Sequence, residues 1–386
     1  MKVFLTGVTG LVGSAFVSAL IKDQPDVQIV CMSRGNNART AAQRVEACIR
    51  EQCAFDGHPE DADNVIKHLT VVEGDVVSFD PEAMSKLDAV KDCDTIFHCA
   101  ADVNLGKDPT GRTYNINYGG TCKMLELARR LPTKAFHYVS TAYTAGRNSG
   151  RVFEAAHPDN GFNNPYEESK YKAEMLVRES GFPFTIYRPA IITGRRSDGR
   201  VRRPLAFYRI VEFIGKLKKH HCAKNKINPL EVVDMGLHFQ TMPVDRIFFV
   251  PIDFVCEAIT KLFQKPVENR TYHVTGDSPV STMQIHKAVC SVLRVGGVTI
   301  TSDAAEEASA DDKLTTRFLG DLLPYFSSEV IFDQTNIRAA LGDEALDWET
   351  GDLGLRKMIE SYFEDFFGNV EWIQELVKAS RAERGE

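Results

Sequence analysis

The sequence has no Cys-x-x-Cys pair, no His-Glu-x-x-His and no cluster of histidines and cysteines at metal-ligand spacing. Its nine cysteines, at 31, 48, 53, 93, 99, 122, 222, 256 and 290, are odd in number and scattered. This argues against a disulfide framework or a structural metal and fits a reduced, cytoplasmic chain with buried thiols. No uninterrupted apolar run reaches the length of a membrane span; the best, Ile247 to Ile259, is short and contains Asp253. Met1-Lys2-Val3-Phe4-Leu5 leads straight into a glycine motif, which leaves no room for a signal peptide. An excess of basic charge is missing too. There are 46 Lys+Arg against 53 Asp+Glu, a net of −7, which argues against nucleic acid as a partner of the whole chain. With 43% hydrophobic residues in 386, the chain is too apolar for disorder and long enough for two domains, or for one with an appended lobe.

What is present is an alternation. Strand-length apolar runs at Lys2–Thr6, Val27–Met32, Leu69–Glu73, Thr95–Cys99, Ala135–Ser140 and Phe184–Arg188 are separated by helical patterns at Leu11–Lys22, Ala38–Gln52, Tyr118–Leu131 and Glu167–Glu179. The pattern predicts an α/β fold, a Rossmann-type doubly wound parallel sheet with ligands at the carboxyl ends of its strands. The domain occupies 1–190, and 247–264 returns to it. Residues 191–386 form a smaller, mostly C-terminal substrate-binding lobe and helical region. Leu355–Val377 carries apolar residues at helical spacing throughout.

Thr6-Gly7-Val8-Thr9-Gly10-Leu11-Val12-Gly13 follows the first strand and opens the first helix. Glycines at 7, 10 and 13 permit a tight turn, approach of a pyrophosphate to the backbone, and close helix–strand packing. The bland alternative is a plain glycine turn. About twenty residues on, where an NAD-specific site carries an acid, the second strand ends in Ser33-Arg34. An arginine there can pair with a 2′-phosphate, which favours NADPH over NADH. Asp75 and Val76 after the third strand are candidates for the adenine, or simply an ordinary turn. Tyr166-x-x-x-Lys170 places a phenol and an ammonium on one helix face, an arrangement that can draw the phenol toward the working pH for acid–base work. The pair follows Ser140-Thr141 at a strand end, where a hydroxyl can bind the same substrate oxygen, and Asn117 at a helix start.

These residues, with His98-Cys99-Ala100-Ala101-Asp102-Val103-Asn104, Asn117-x-x-Gly120-Thr121, Tyr166-x-x-Ser169-Lys170-Tyr171-x-Ala173-Glu174, Tyr187-Arg188-Pro189 and Val250–Val255, resemble the extended short-chain dehydrogenase/reductase superfamily. More narrowly, they resemble its fatty acyl-CoA reductase and thioester-reductase branch. The resemblance covers residues 1–190 well, 247–280 less so and the remainder poorly. It implies Tyr166 as proton donor, Lys170 as partner of the nicotinamide ribose and Thr141 as the hydroxyl orienting the substrate oxygen. It implies cofactor contacts at 6–13, at Ser33, Arg34, Asp75, Val76, Ala100, Ala101 and Asn117, and at the backbone of Pro189, which faces the nicotinamide. Asn117 reads better as a structural clamp.

The implied activity is NADPH-dependent reduction of an acyl thioester, carried on coenzyme A or an acyl carrier protein, to an aldehyde, which a second hydride could reduce to an alcohol. The alternative within the superfamily is a ketone or secondary-alcohol oxidoreductase; a non-catalytic dinucleotide scaffold would have lost the Tyr/Lys pair. Residues 195–226 hold eleven bases against two acids, a net of +9, while 303–386 hold twenty acids against eight bases, a net of −12. The basic segment could receive coenzyme A phosphates, a carrier-protein helix or, less favoured, a membrane surface; otherwise it is a solvated face balanced by the acidic block.

Overall fold

The computed structural model describes residues 1–240, 246–301, 309–326, 328–368 and 370–385, so positions 303–308 of the acidic block lie outside the described residues. The chain divides into two compact units. The first comprises Met1–Ala190, Val255–Val274 and Phe332–Ala345, and the second Ile191–Phe254, Thr275–Ile331 and Leu346–Glu386. The stretch 247–264 is therefore split between them at Val255.

The first unit is built on seven strands: β1 (Lys2–Thr6), β2 (Gln28–Ser33), β3 (Leu69–Glu73), β4 (Thr95–His98), β5 (Ala135–Val139), β6 (Phe184–Pro189) and β7 (Arg270–Val274). Their order is β7-β6-β5-β4-β1-β2-β3, and every neighbouring pair is parallel. This is the doubly wound sheet expected from the alternation, with a seventh strand that the sequence reading did not list. The order reverses between β1 and β4, so the connections leaving these strands diverge and open a crevice at their carboxyl ends.

Burial on both faces follows from the parallel arrangement. On one face Phe4, Ile96, Phe136, Tyr138 and Ile186 pack with Met124, Leu125, Ala173 and Val177, the last four carried by helices α3 (Gly120–Ala128) and α4 (Pro165–Glu179). On the other, Phe97 stacks on Phe16 of helix α1 (Leu11–Asp23) at 4.0 Å and meets Phe263 edge-on. Helix α4 begins where its sequence says it should. The Asn164 side chain accepts from the Glu167 amide, Pro165 occupies the first turn, and Glu167 and Glu168 face the positive end of the dipole.

In the second unit, Val233–Gln240 pairs in parallel with Val295–Thr301, and Phe249–Pro251 with Ile191–Thr193. The basic segment is not one charged face. Its helix Phe207–Asn225 buries Lys218 completely, and the ammonium caps another helix by donating to the carbonyls of Leu293 (2.6 Å) and Arg294 (3.2 Å). Arg200 pairs with Asp365 and Arg209 with Asp321, so bases of the +9 block meet acids of the −12 block. The long C-terminal helix is also two helices, Gly351–Phe366 and Glu371–Ala382, interrupted where Gly368 takes φ = +82°. No helix among the described residues is long and apolar enough to cross a membrane.

Candidate active site

The glycine loop lies where the strand order reverses. Gly7 has φ = +84°, and a Cβ there would sit 2.6 Å from the carbonyl carbon of Cys99. A Cβ on Gly13 would stand 2.2 Å from the Gly7 carbonyl oxygen, so α1 packs against the loop only because position 13 has no side chain. Gly10 donates to the Gly7 oxygen at 2.9 Å and caps α1 without a side chain, and the first turn holds no acid. Leu11 and Val12 are buried, so only their backbone can meet a ligand. A backbone-lined hollow at a helix N-terminus, kept open by glycine, fits the pyrophosphate of a dinucleotide. Thr9 remains half-buried beside it. Thr6 does not point into the hollow. It is fully buried, 2.7 Å from His98 Nδ1, and accepts from the Ala100 amide at 3.3 Å. Its work is to tie the ends of β1 and β4 together.

At the end of β2, Ser33 is buried and Arg34 is exposed. Arg34 pairs with Asp75 at 3.1 Å, and Asp75 also accepts from the Val77 amide at 2.9 Å. Arg44 of the helix Ala41–Phe55 donates to the Arg34 carbonyl at 2.5 Å. Glu73, at the end of β3, accepts from the Gly35 amide at 3.3 Å. The Glu73 carboxylate is thus engaged by the backbone just past β2, and a second arginine, Arg44, joins the first. Neither was legible from the segment itself. Val76 packs near Gly120, where an added Cβ would meet its side chain at 3.2 Å.

The catalytic candidates converge on the end of β5. The hydroxyls of Tyr166 and Thr141 share a hydrogen bond. Thr141 also donates to the Pro189 carbonyl at 3.4 Å and accepts from the Tyr143 amide at 3.3 Å. Lys170 is buried; its Nζ donates to the Val139 carbonyl at 2.6 Å and lies 4.2 Å from the centre of the Tyr138 ring. Burial pushes the Tyr166 phenol up to about 12, with Glu167 and Cys99 adding to the rise and Thr141 opposing it. The expectation that Lys170 draws this phenol down is therefore corrected: the ammonium is directed at a carbonyl. Burial instead lowers Lys170 to about 8, against the opposing pull of Cys99 and Glu174.

Asn117 is buried and bonded on both sides of its amide. Its Oδ1 accepts from the Asp102 amide (2.8 Å), and its Nδ2 donates to the Asp102 carbonyl (3.1 Å) and the Ser169 hydroxyl (3.0 Å). It thereby fastens the segment after β4, with Ala100 and Ala101, to the helix of Tyr166 and Lys170. His98 bridges Thr6 and Thr121 and is held neutral by burial, its pKa lowered to about 3.

A family model described as "Male sterility protein" matches residues 5–259. The chain belongs to that family. It is 27% identical to the nonribosomal peptide synthetase asaC of Aspergillus flavus, over 94% of this chain and 36% of that protein. It is 25% identical to the putative fatty acyl-CoA reductase CG8303 of Drosophila melanogaster, over 50% of this chain and 41% of that protein. The chain thus spans well under half the length of either relative. The terminal R domain of the myxalamid PKS-NRPS pathway has the same fold, with a TM-score of 0.72 and 22% identity, over 95% of this chain and 92% of that one. The architecture the two share is the doubly wound parallel α/β sheet.

In this male sterility family member the motif reading left two residues without a role. Glu174 stands four residues beyond Lys170 and is fully buried, and Arg188 contacts it in a two-pronged ion pair with distances of 2.6 and 3.0 Å. The Tyr-Arg-Pro segment therefore presents more than a strand-end backbone: its arginine side chain is buried in the first unit. The i+4 and i+8 spacing from Tyr166 was a signal for Glu174. Nothing in sequence pairs it with Arg188.

Proposed function

We propose that this chain is an NADPH-dependent reductase that converts an acyl thioester, delivered on coenzyme A or a carrier protein, to an aldehyde and then to an alcohol. The observation that carries the reading is the pair of hydroxyls, Thr141 and Tyr166, meeting at a strand end beside the glycine hollow. The kinship to a peptide synthetase and to a fatty acyl-CoA reductase supports the thioester as substrate.

The residues of the loop 7–13 would hold the pyrophosphate by their backbone, and Arg34 and Arg44 would face a 2′-phosphate. When bound, the reduced nicotinamide supplies a hydride. Thr141 and Tyr166 are the donors for the carbonyl oxygen, whose charge grows as its carbon becomes tetrahedral. A phenol with its pKa near 12 stays protonated at neutral pH, which is the form a proton donor needs. Collapse of the tetrahedral alkoxide breaks the carbon–sulfur bond, releases the thiolate and leaves the aldehyde. In a second round, with a second hydride supplied to the aldehyde carbon from a fresh reduced nicotinamide, Tyr166 would give its proton to the oxygen and the product is the alcohol. Lys170 keeps the floor of this site cationic below pH 8.

The test is release of free thiol when the chain is mixed with NADPH and an acyl thioester. Oxidation of a secondary alcohol with no thiol release would favour the ketone reductase instead. Arg34→Ala should weaken NADPH binding by about tenfold while leaving NADH unchanged, read by fluorescence titration of both.

A further inference from the structure

Three successive residues at the end of β5 are each engaged by α4, at positions four residues apart on the helix. The Val139 carbonyl takes the Lys170 ammonium (2.6 Å), Ser140 Oγ donates to Glu174 Oε2 (2.9 Å), and Thr141 shares its hydrogen bond with Tyr166. Positions 166, 170 and 174 form one stripe on the helix. Two of the three contacts belong to the catalytic candidates. The third belongs to a buried carboxylate that has been given no part in the reaction.

That carboxylate is heavily anchored. Arg188 Nε meets Oε2 at 3.0 Å and Arg188 Nη2 meets Oε1 at 2.6 Å, while Arg178 reaches Oε1 at 2.8 Å. Arg188 is held in turn by the carbonyls of Phe153 (3.2 Å) and Ala155 (2.9 Å) and lies 3.2 Å from His273 Nε2 on β7. Arg178 meets Thr271 Oγ1 at 2.5 Å. The carboxylate thus joins α4 to β5, β6 and β7 at once.

We propose that Glu174 is a positioning residue: with Ser140 and Arg188 it fixes the strand end bearing Thr141 against the helix bearing Tyr166 and Lys170, and it places a buried negative charge one helical turn from the Lys170 ammonium. The inference rests on the reading of the Thr141–Tyr166–Lys170 site given above. The groups facing Lys170 are Cys99 and His98 from the end of β4, Tyr138 from β5, and Glu174 from its own helix. Of these, Glu174 is the carboxylate, and the two arginines hold it ionised far below the usual range. Its charge opposes the burial that lowers Lys170. Removing the carboxylate leaves Arg178 and Arg188 behind and turns the local field against the ammonium.

Two variants separate the roles. Glu174→Gln keeps the shape and removes the charge; Ser140→Ala cuts one contact and keeps the charge. Glu174→Gln should move the alkaline limb of NADPH affinity, followed by fluorescence from pH 6 to 10, down by about one pH unit. Ser140→Ala should leave that limb in place and lower kcat for thiol release by about tenfold at unchanged KM. An unshifted limb in folded Glu174→Gln, or an unchanged kcat in Ser140→Ala, would overturn the proposal. Should Glu174→Gln fail to fold, the kcat of Ser140→Ala decides. Absence of thiol release from the native chain would refute the thioester reading alone, because the binding limb still tests the charge.

Discussion

At the scale of single residues, the site is a division of labour between a neutral phenol and a buried cation. Tyr166→Phe should lower turnover by about 10²- to 10⁴-fold and leave dinucleotide affinity unaltered, as steady-state rates and binding titrations on the same preparation will report. The proton such a variant lacks is present in the native phenol throughout the physiological range, since burial raises it to about 12. The alkaline limit of activity should therefore come from Lys170, whose charge is lost as pH rises through about 8. Tyr166, Lys170 and Thr141 were legible in sequence because their spacing along one helix and one strand end is a local property. The phenol's elevated pKa and the Arg188–Glu174 pair were not. The first is set by burial of the phenol; the second arises where β6 turns back along α4 and brings Arg188 onto Glu174, a pairing that no local spacing rule announces.

At the scale of elements, the glycine loop and α1 behave as one unit because position 13 is bare. Gly13→Ala places a methyl 2.2 Å from the Gly7 oxygen, so the helix must withdraw or the loop must shift. The expected outcome is loss of dinucleotide binding together with a lower melting temperature; wild-type affinity in that variant would mean the loop does not form the hollow described. Six of the seven strands were readable from apolar runs, to within a residue or two at their ends. The seventh, Arg-Thr-Tyr-His-Val at 270–274, alternates polar with apolar side chains and carries an arginine at its start. Its buried His273 is satisfied by the Asp333 carbonyl (2.7 Å) and by Arg188, partners that only the fold supplies. The C-terminal helix was read as continuous because its apolar spacing survives the break at Gly368, and a period says nothing about a single positive φ.

At the scale of the molecule, Arg200–Asp365 and Arg209–Asp321 join the two opposed charge blocks, and what remains consequential is the set of charges the first unit excludes. His98, His137 and His273 are buried and neutral, each lowered to about 3. In the unfolded chain each takes a proton near its ordinary 6.5, so stability is present above that value and falls as pH drops toward 3. Glu174, held at about 2, adds to the loss below about 4.5. Glu154, raised to about 7 by burial, is protonated earlier in the folded state and opposes the loss between pH 7 and 4.5. The steepest decline should therefore lie between pH 4.5 and 3, each unmatched proton costing about 1.4 kcal/mol per pH unit. Denaturant midpoints at pH 7, 5 and 4 will show it, and a flat profile down to pH 3.5 would contradict it.

The claim on which the functional reading turns is that the carbonyl carbon reduced at Thr141 and Tyr166 carries a sulfur leaving group. It is tested most directly by counting free thiol against NADPH oxidised, with the acyl group supplied as a coenzyme A thioester and again on a carrier protein. Thiol should appear in step with NADPH oxidation on at least one carrier, with up to two NADPH consumed per thiol as aldehyde passes to alcohol, and none of this in Tyr166→Phe. NADPH oxidation on a ketone or aldehyde, with no thiol released from either carrier, would contradict it.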